Sequence, residues 1–276
     1  MQAALMLAAY GFLTVFIIMS ALWWLGIRNR NFSYVDIGWS ANFAVLAVLY
    51  AWLGNGWPLR NWVIAAMFSL WSVRLAGHLA KRIFGHPEEG RYVELRSRWG
   101  AGGRLNLKFF AFFQFQAVLN VILSVPLLIC CVNATEGLRW QEALGVAIWF
   151  AGLVGESVAD AQLAWYKRDP ANKGGVCDVG LWGYSRHPNY FFEWTIWVGY
   201  AVFALASPGG WIALAMPALM LHFLINVTGV KATEEQALRS KGEKYREYQR
   251  RTSMFVPLRK RLQPTPPLPP AGEGKG

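Results

Sequence analysis

Charge is scarce in this chain. Asp, Glu, Lys and Arg make up 16% of its 276 residues, against roughly 25% in soluble proteins, which weighs against a soluble domain with a charged surface. Cysteine is scarcer: Cys130, Cys131 and Cys177 lack metal-ligand spacing, which excludes a disulfide scaffold or zinc ribbon and leaves small buried residues. There is no Gly-x-Gly-x-x-Gly loop, no Gly-x-x-x-x-Gly-Lys loop and no His-Glu-x-x-His string. A soluble Rossmann or P-loop domain is thereby disfavoured, and any cofactor must be held by helices and their connections. A secretory signal is missing too. No basic segment precedes the first apolar run and no small-residue cleavage pattern ends it, so that run is expected to remain as a span.

Hydrophobic residues are plentiful, at 55%, with 15 Trp, 17 Phe and 10 Tyr. Aromatic girdles at headgroup level would use many of these rings. The net charge of +11 is concentrated between apolar blocks and at the carboxyl end. Long apolar spans exclude a nucleic-acid binder of the same charge. Anionic lipid heads or a polyanionic cofactor suit it instead.

Seven apolar blocks are expected to cross a bilayer: Leu5–Ile27, Val35–Leu53, Trp62–Leu79, Phe109–Val132, Ala143–Trp165, Phe191–Ala206 and Trp211–Val227. Most approach the roughly 20 residues that a core about 30 Å thick requires. The fold class is therefore all-α, an integral membrane bundle of seven transmembrane helices. The connections alternate in charge. The first has Arg28 and Arg30, the third Lys81, Arg82, Arg91, Arg96, Arg98, Arg104 and Lys108, and the fifth Lys167, Arg168, Lys173 and Arg186. The second and fourth have only Arg60 and Arg139, and the sixth none. The positive-inside rule puts the basic connections and the carboxyl terminus in the cytoplasm and the amino terminus outside. A bacterial inner membrane is the expected location.

Three segments follow: a bundle over 1–230, a cytosolic basic helical segment over 231–261 that completes a cofactor site, and a disordered Pro/Gly-rich tail over 262–276. Lys231–Gln249 reads as one polar helix, with Thr233 and the acids after it as a capping arrangement.

Ionisable groups inside spans are costly unless they face protein, water or ligand. Asp36, beside Tyr34, starts the second span. It suits either a helix-terminal carboxylate favoured by the dipole or a substrate-pocket acid. Arg74 and His78 share a face of the third span; Arg74 suits either a carboxylate such as Asp36 or a bound phosphate. Glu156 and Asp160 are likewise four apart late in the fifth span. Without paired Glu-x-x-His motifs, a di-iron reading has little support, and no metal site is expected. The densest string is GLWGYSRHPNYFFE, 180–193, where Arg186 and His187 precede Pro188. Proline can open a helix, Asn189 and Glu193 then share a face, and a helix mouth beside Arg186 suits an anion.

The strings SYVDIGWS, RYVELRSRWG, FFQFQAVL, ADAQLAWYK, GLWGYSRHPNYFFEW and GVKATEEQALRSKGEKYREYQRRTSMFVP resemble the steroid 5-alpha-reductase-like membrane superfamily, and within it the DUF1295 branch. The resemblance spans Asn31 to Pro257. It implies a seven-span, NADPH-dependent oxidoreductase that reduces a carbon–carbon double bond conjugated to a ketone in a steroid-like or other lipid. The family's Asn-x-x-x-Asp element is matched by Glu156 and Asp160, with glutamate in place of asparagine. The basic residue seven positions after that Asp is matched by Lys167. Asn189 and Glu193 match the penultimate span. Arg186 and His187 are expected beside the cofactor, and Tyr245, Arg246, Tyr248 and Arg250 in a basic stretch that reaches its phosphate or adenosine end.

The family's catalytic tyrosine falls on Trp71, whose indole is no general acid. Arg74 matches the arginine after it, and Asp36 the family's glutamate. Tyr34 or Asp36, with Arg74, is therefore the expected catalytic group, or the chemistry differs. Arg186-His187-Pro188-Asn189-Tyr190, with Glu234-Glu235 and Tyr245-x-x-Tyr248, is also similar to isoprenylcysteine and phospholipid methyltransferases. That resemblance implies S-adenosylmethionine and transfer to a lipid or prenyl group. A transporter or scaffold is the third class, although no inverted repeat is visible. The expected partners are a hydrophobic lipid or steroid-like small molecule and membrane lipids, with no nucleic acid and no obligate protein partner.

Overall fold

Long apolar runs without interior proline become long helices, because in a bilayer every backbone group must find its partner within the segment. In the computed structural model, which describes residues 2–100, 102–227 and 229–259, the order is α1 (Gln2–Asn29), α2 (Tyr34–Leu53), α3 (Pro58–Ile83), α4 (Gly90–Trp99), α5 (Gly103–Leu123), α6 (Val125–Cys131), α7 (Trp140–Arg168), α8 (Pro188–Ala204), α9 (Ala215–His222), α10 (Val230–Lys241) and α11 (Glu243–Arg251). No strand occurs among the described residues, only an isolated bridge between Ser185 and Ser253. Among the described residues, six helical segments are long and apolar enough to cross a membrane: α1, α2, α3, α5, α7 and Gly210–Lys241. The protein is thus an all-α, multi-pass membrane bundle. Its lipid-facing surface carries Leu13, Ile17, Trp52, Val73, Phe150 and Trp211, each more than half exposed; such a surface would aggregate in water.

The expected sixth span is α8, whose 17 residues rise about 26 Å at 1.5 Å each, short of a core about 30 Å thick. The expected fourth span is broken. Pro126 cannot donate to the carbonyl four residues back, and the chain leaves α5 at Ser124 before α6 begins. The expected seventh span changes pitch along its length, with a 3₁₀ segment (Gly210–Leu214), then α9, then a π segment (Phe223–Val227). The polar carboxyl helix is two helices, α10 and α11, divided at Gly242, whose φ of 55° is the left-handed conformation that glycine tolerates. Thr233 does not cap α10. It lies one turn inside, and its N–H donates to Gly229 O. The expected tail over 262–276 and the last two residues of the 231–261 segment lie outside the described residues.

Two compact units divide the chain, Met1–Ala151 with Thr195–Met220, and Gly152–Trp194 with Leu221–Gly276. In the first unit, Phe43, Phe68, Trp71, Trp197 and Tyr200 are fully buried and form the core. Phe68 stacks on Tyr200 at 3.8 Å, and Trp71 meets Phe43 at 5.3 Å and Trp197 at 5.4 Å. Glycine permits close backbone contact between α7 and α8: a Cβ on Gly145 would lie 2.5 Å from Phe203 N, and one on Gly199 2.6 Å from Trp149 N. Polar groups within the apolar interior are cross-linked. Asn42 donates to Asn120, which donates to Trp39 O at 2.9 Å.

Between α3 and α5 the sequence suggests only a basic loop, but the residues fold as a cap on the start of α2. Glu88 accepts from Phe32 N at 2.7 Å and pairs with Arg96. Arg96 lies over the Phe32 ring, which stacks on Phe109 at 3.7 Å. Glu89 N donates to Ser33 Oγ. In the second unit, Trp182 Nε1 donates to Ala159 O at 2.9 Å, and Leu181 N to Gln162 Oε1, pinning the 180–184 turn to α7.

Candidate functional site

The three candidate catalytic residues lie in the first unit. Asp36 has both oxygens engaged: Oδ2 pairs with Arg91, and Oδ1 accepts from the Tyr92 phenol at 2.7 Å. Its partners come from α4, not from Arg74 on α3 as the sequence suggested. Burial, then the Asp36 charge, raise the Tyr92 pKa, so its hydroxyl stays a donor. Tyr34 is half-buried and its hydroxyl accepts from Asn29 Nδ2 at 3.1 Å. Arg74 is half-buried, one turn beyond the fully buried Trp71.

The second unit gathers most of the candidate cofactor residues. Glu156 and Glu193 are buried, Asp160 and Asn189 half-buried. A Cβ on Gly155 would lie 2.3 Å from the Phe192 ring, so α7 and α8 touch in the stretch that carries these four polar side chains. The Asn189 side-chain oxygen is itself buried and has no hydrogen-bond partner among the described residues.

Beside them is a hub that spacing did not reveal. Glu234, on α10, takes Arg186 Nε at 2.6 Å, His187 Nε2 at 3.3 Å and Tyr245 OH at 3.5 Å on one oxygen, and Gln249 Nε2 at 2.9 Å on the other. Arg186 also donates to Gln249 O and to Thr252 O at 2.7 Å. Arg186 and His187 therefore fasten the carboxyl-terminal helices to the start of α8. Tyr245 and Tyr248 point inward, and Tyr248 OH donates to Trp182 O. Burial, then neighbouring Glu234 for Tyr245 and Tyr245 for Tyr248, raise both phenols. Arg246 and Arg250 point outward and pair with Glu243.

Lys167 ends α7 at a cavity of about 370 Å³. Lys167, Arg168, Lys173 and Lys241 line it, with Asp169 the single carboxylate, and Gly174 has open space where a side chain would stand. Lys173 and Lys241 lie 68 residues apart in sequence, which explains why only Lys167 was expected here. Glu234 was visible in the sequence only as one of an acidic pair.

A family model described as "Protein of unknown function (DUF1295)" matches residues 22–252. An uncharacterized protein of Schizosaccharomyces pombe is 26% identical over 280 residues, covering 90% of this chain and 78% of that protein. No solved structure matches the chain.

Proposed function

The chain belongs to the DUF1295 family, and from that premise we propose that it is a membrane-embedded, NADPH-dependent reductase of a conjugated carbon–carbon double bond in a steroid-like or other lipid. The observation that carries this reading is the cavity at the end of α7. Four cations against one carboxylate suit a polyanion, and the open position at Gly174 lets a phosphate approach the backbone. The buried, unpartnered Asn189 oxygen suits a carboxamide N–H. The donor set thus fits a nicotinamide dinucleotide, which when bound supplies hydride.

Lys167, Arg168, Lys173 and Lys241 hold the phosphates, while Arg246 and Arg250 stay with Glu243. Glu156, Asp160 and Glu193 lie on the same stretch of α7 and α8 as Asn189 and would line the nicotinamide end with it. At the substrate end Tyr34 donates the proton, a role that the Trp71 indole cannot fill, and Arg74 stabilises the developing enolate oxygen. Asp36 acts through Tyr92 and Arg91 as a positioning residue. The amino terminus lies outside and the carboxyl terminus in the cytoplasm of a bacterial inner membrane, the side where reduced cofactor is available.

One observation favours a second reading. Arg186, His187 and Tyr245 meet on Glu234, which unites the strings that resemble lipid methyltransferases. Equilibrium binding to the purified protein in neutral detergent separates the two. NADPH is expected to bind, and Lys167→Ala and Lys241→Ala each to weaken it about tenfold, the loss of one phosphate contact of ~1.4 kcal/mol. Binding of S-adenosylmethionine without NADPH would replace the reductase by the methyltransferase. Binding of neither would leave a transporter or scaffold.

A further inference from the structure

The second unit holds another cavity, of about 260 Å³, that shares no lining residue with the one at the end of α7. Arg186, Arg250, Arg259, Thr252 and Ser253 line it, and no carboxylate does. Thr252 is 4% exposed, and its Oγ1 has no hydrogen-bond partner among the described residues. Arg186 keeps Glu234 and Arg250 keeps Glu243 as partners, so the buried Thr252 hydroxyl and the Arg259 guanidinium are the donors this cavity offers a phosphate oxygen.

The cavity is built rather than left by a loose loop. Arg186 N donates to Ser253 O at 2.8 Å, Leu258 N to Tyr184 O at 3.0 Å, and Ser185 Oγ to Phe255 O at 2.7 Å. These bonds lay residues 252–258 along the start of α8. Arg186 thus sits two residues before α8, whose residues after Glu193 are predominantly apolar. Its rim is apolar. Met254 and Leu258 line the cavity, and with Val256 they expose 38%, 58% and 47% of their surface. Exposed apolar side chains next to a cationic recess match a ligand with a phosphate head and a hydrocarbon body.

We infer that this cavity binds the phosphodiester headgroup of an anionic phospholipid, with Arg259 and Thr252 as specificity-determining contacts. Occupation would anchor the carboxyl-terminal segment to the bilayer.

Native mass spectrometry of the full chain in neutral detergent tests this, with phosphatidylglycerol, phosphatidylcholine, inorganic phosphate and NADPH as probes. Phosphatidylglycerol is expected to be retained about tenfold better than phosphatidylcholine of the same acyl length. Arg259→Gln and Thr252→Val should each lower that preference about fivefold without changing phosphatidylcholine binding. Arg259 is exposed and unburdened by packing, so its variant reads the contact and not the fold. Equal retention of the two lipids overturns the proposal. Displacement of bound lipid by millimolar inorganic phosphate, with no lipid preference remaining, assigns the site to free phosphate and overturns it too. Displacement by NADPH makes the cavity part of the cofactor site, again overturning it. If NADPH never binds yet the lipid preference and its loss in both variants persist, the inference stands and the reductase reading falls.

Discussion

Arg60 shows how much a single residue's environment decides. Its sequence position is that of an ordinary cation in a short outer connection. The folded chain buries it completely against Glu142, which is 1% exposed, and lets it donate to the carbonyls of Asn133, Thr135 and Gly137. A buried pair of this kind is sustained by its complete set of hydrogen bonds, and losing one member strands the other charge. Arg60→Met is therefore expected to cost about 3–5 kcal/mol, read as a lowered midpoint of unfolding in detergent, and Glu142→Gln less. A change under about 1 kcal/mol would mean that the pair is solvated like a surface one. Glu234 offers a second case. Glu234→Ala leaves Arg186, at 10% side-chain exposure, and His187, at 3%, without their carboxylate. Hydrogen exchange across α10 and α11 should rise about tenfold, a loss of ~1.4 kcal/mol of local stability. Unchanged protection would show that backbone bonds alone hold the segment. Tyr245 and Tyr248 set an alkaline limit. Their folded pKa values lie above the unfolded value of about 10, so the folded state resists giving up protons that the unfolded chain releases. Their contribution is intact below that value and declines above it. Tyr248→Phe should flatten the fall in unfolding midpoint between about pH 9 and 11, and an unaltered slope would assign the fall to other groups.

At the scale of elements, two kinds of glycine contact make different demands. On α8, a methyl group at Gly199 meets the backbone of Trp149, which cannot turn aside. On α7, one at Gly155 meets the Phe192 ring, which can rotate. Gly199→Ala should cost about 1–3 kcal/mol in unfolding titrations and Gly155→Ala distinctly less; equal costs would show that the helices part as readily at both places. The same elements mark where the sequence was legible. α1, α2 and α3 follow their apolar runs because hydropathy and length alone decide them. Pro188 opens α8 as its missing N–H requires. The break before Pro126 lay hidden because proline and its neighbours continue an apolar run. Gly242 lay hidden inside a charge pattern continuous enough to pass for one helix. The candidate site divides in the same way. Glu156 with Asp160, and Asn189 with Glu193, were visible because residues four apart share a helix face. Glu234 with Arg186, and Lys173 with Lys241, converge from 48 and 68 residues apart, and no local pattern carries such distances.

For the whole molecule, the open quantity is the parity of its crossings. Among the described residues, six segments meet the length and apolarity that a bilayer demands, while α8, at 17 residues, falls about a turn short. Even parity places both termini on one side, and odd parity separates them. The positive-inside rule makes odd parity the expectation. Arg28 and Arg30, then the run from Lys81 to Lys108, then Lys167 to Arg186 fall in alternate connections that all precede α8, and the basic segment from Lys231 onward falls on their side only if α8 crosses. A short helix can cross where the bilayer thins locally or where flanking groups reach the interface, at a cost of fractions of a kcal/mol per Å. Asn189 and Glu193 lie in its first turns, so its polar end is served by protein contact rather than by lipid. Single cysteines introduced as Gln2→Cys and Lys244→Cys, both at exposed positions, in a background with Cys130, Cys131 and Cys177 replaced by alanine, report the parity directly. A membrane-impermeant thiol reagent applied to intact spheroplasts should label position 2 and spare position 244, and permeabilisation should expose both. Labelling of both or neither in intact cells would put the termini together, make α8 a re-entrant helix, and remove the cytoplasmic placement of the cavity at the end of α7 on which the proposed reductase reading depends.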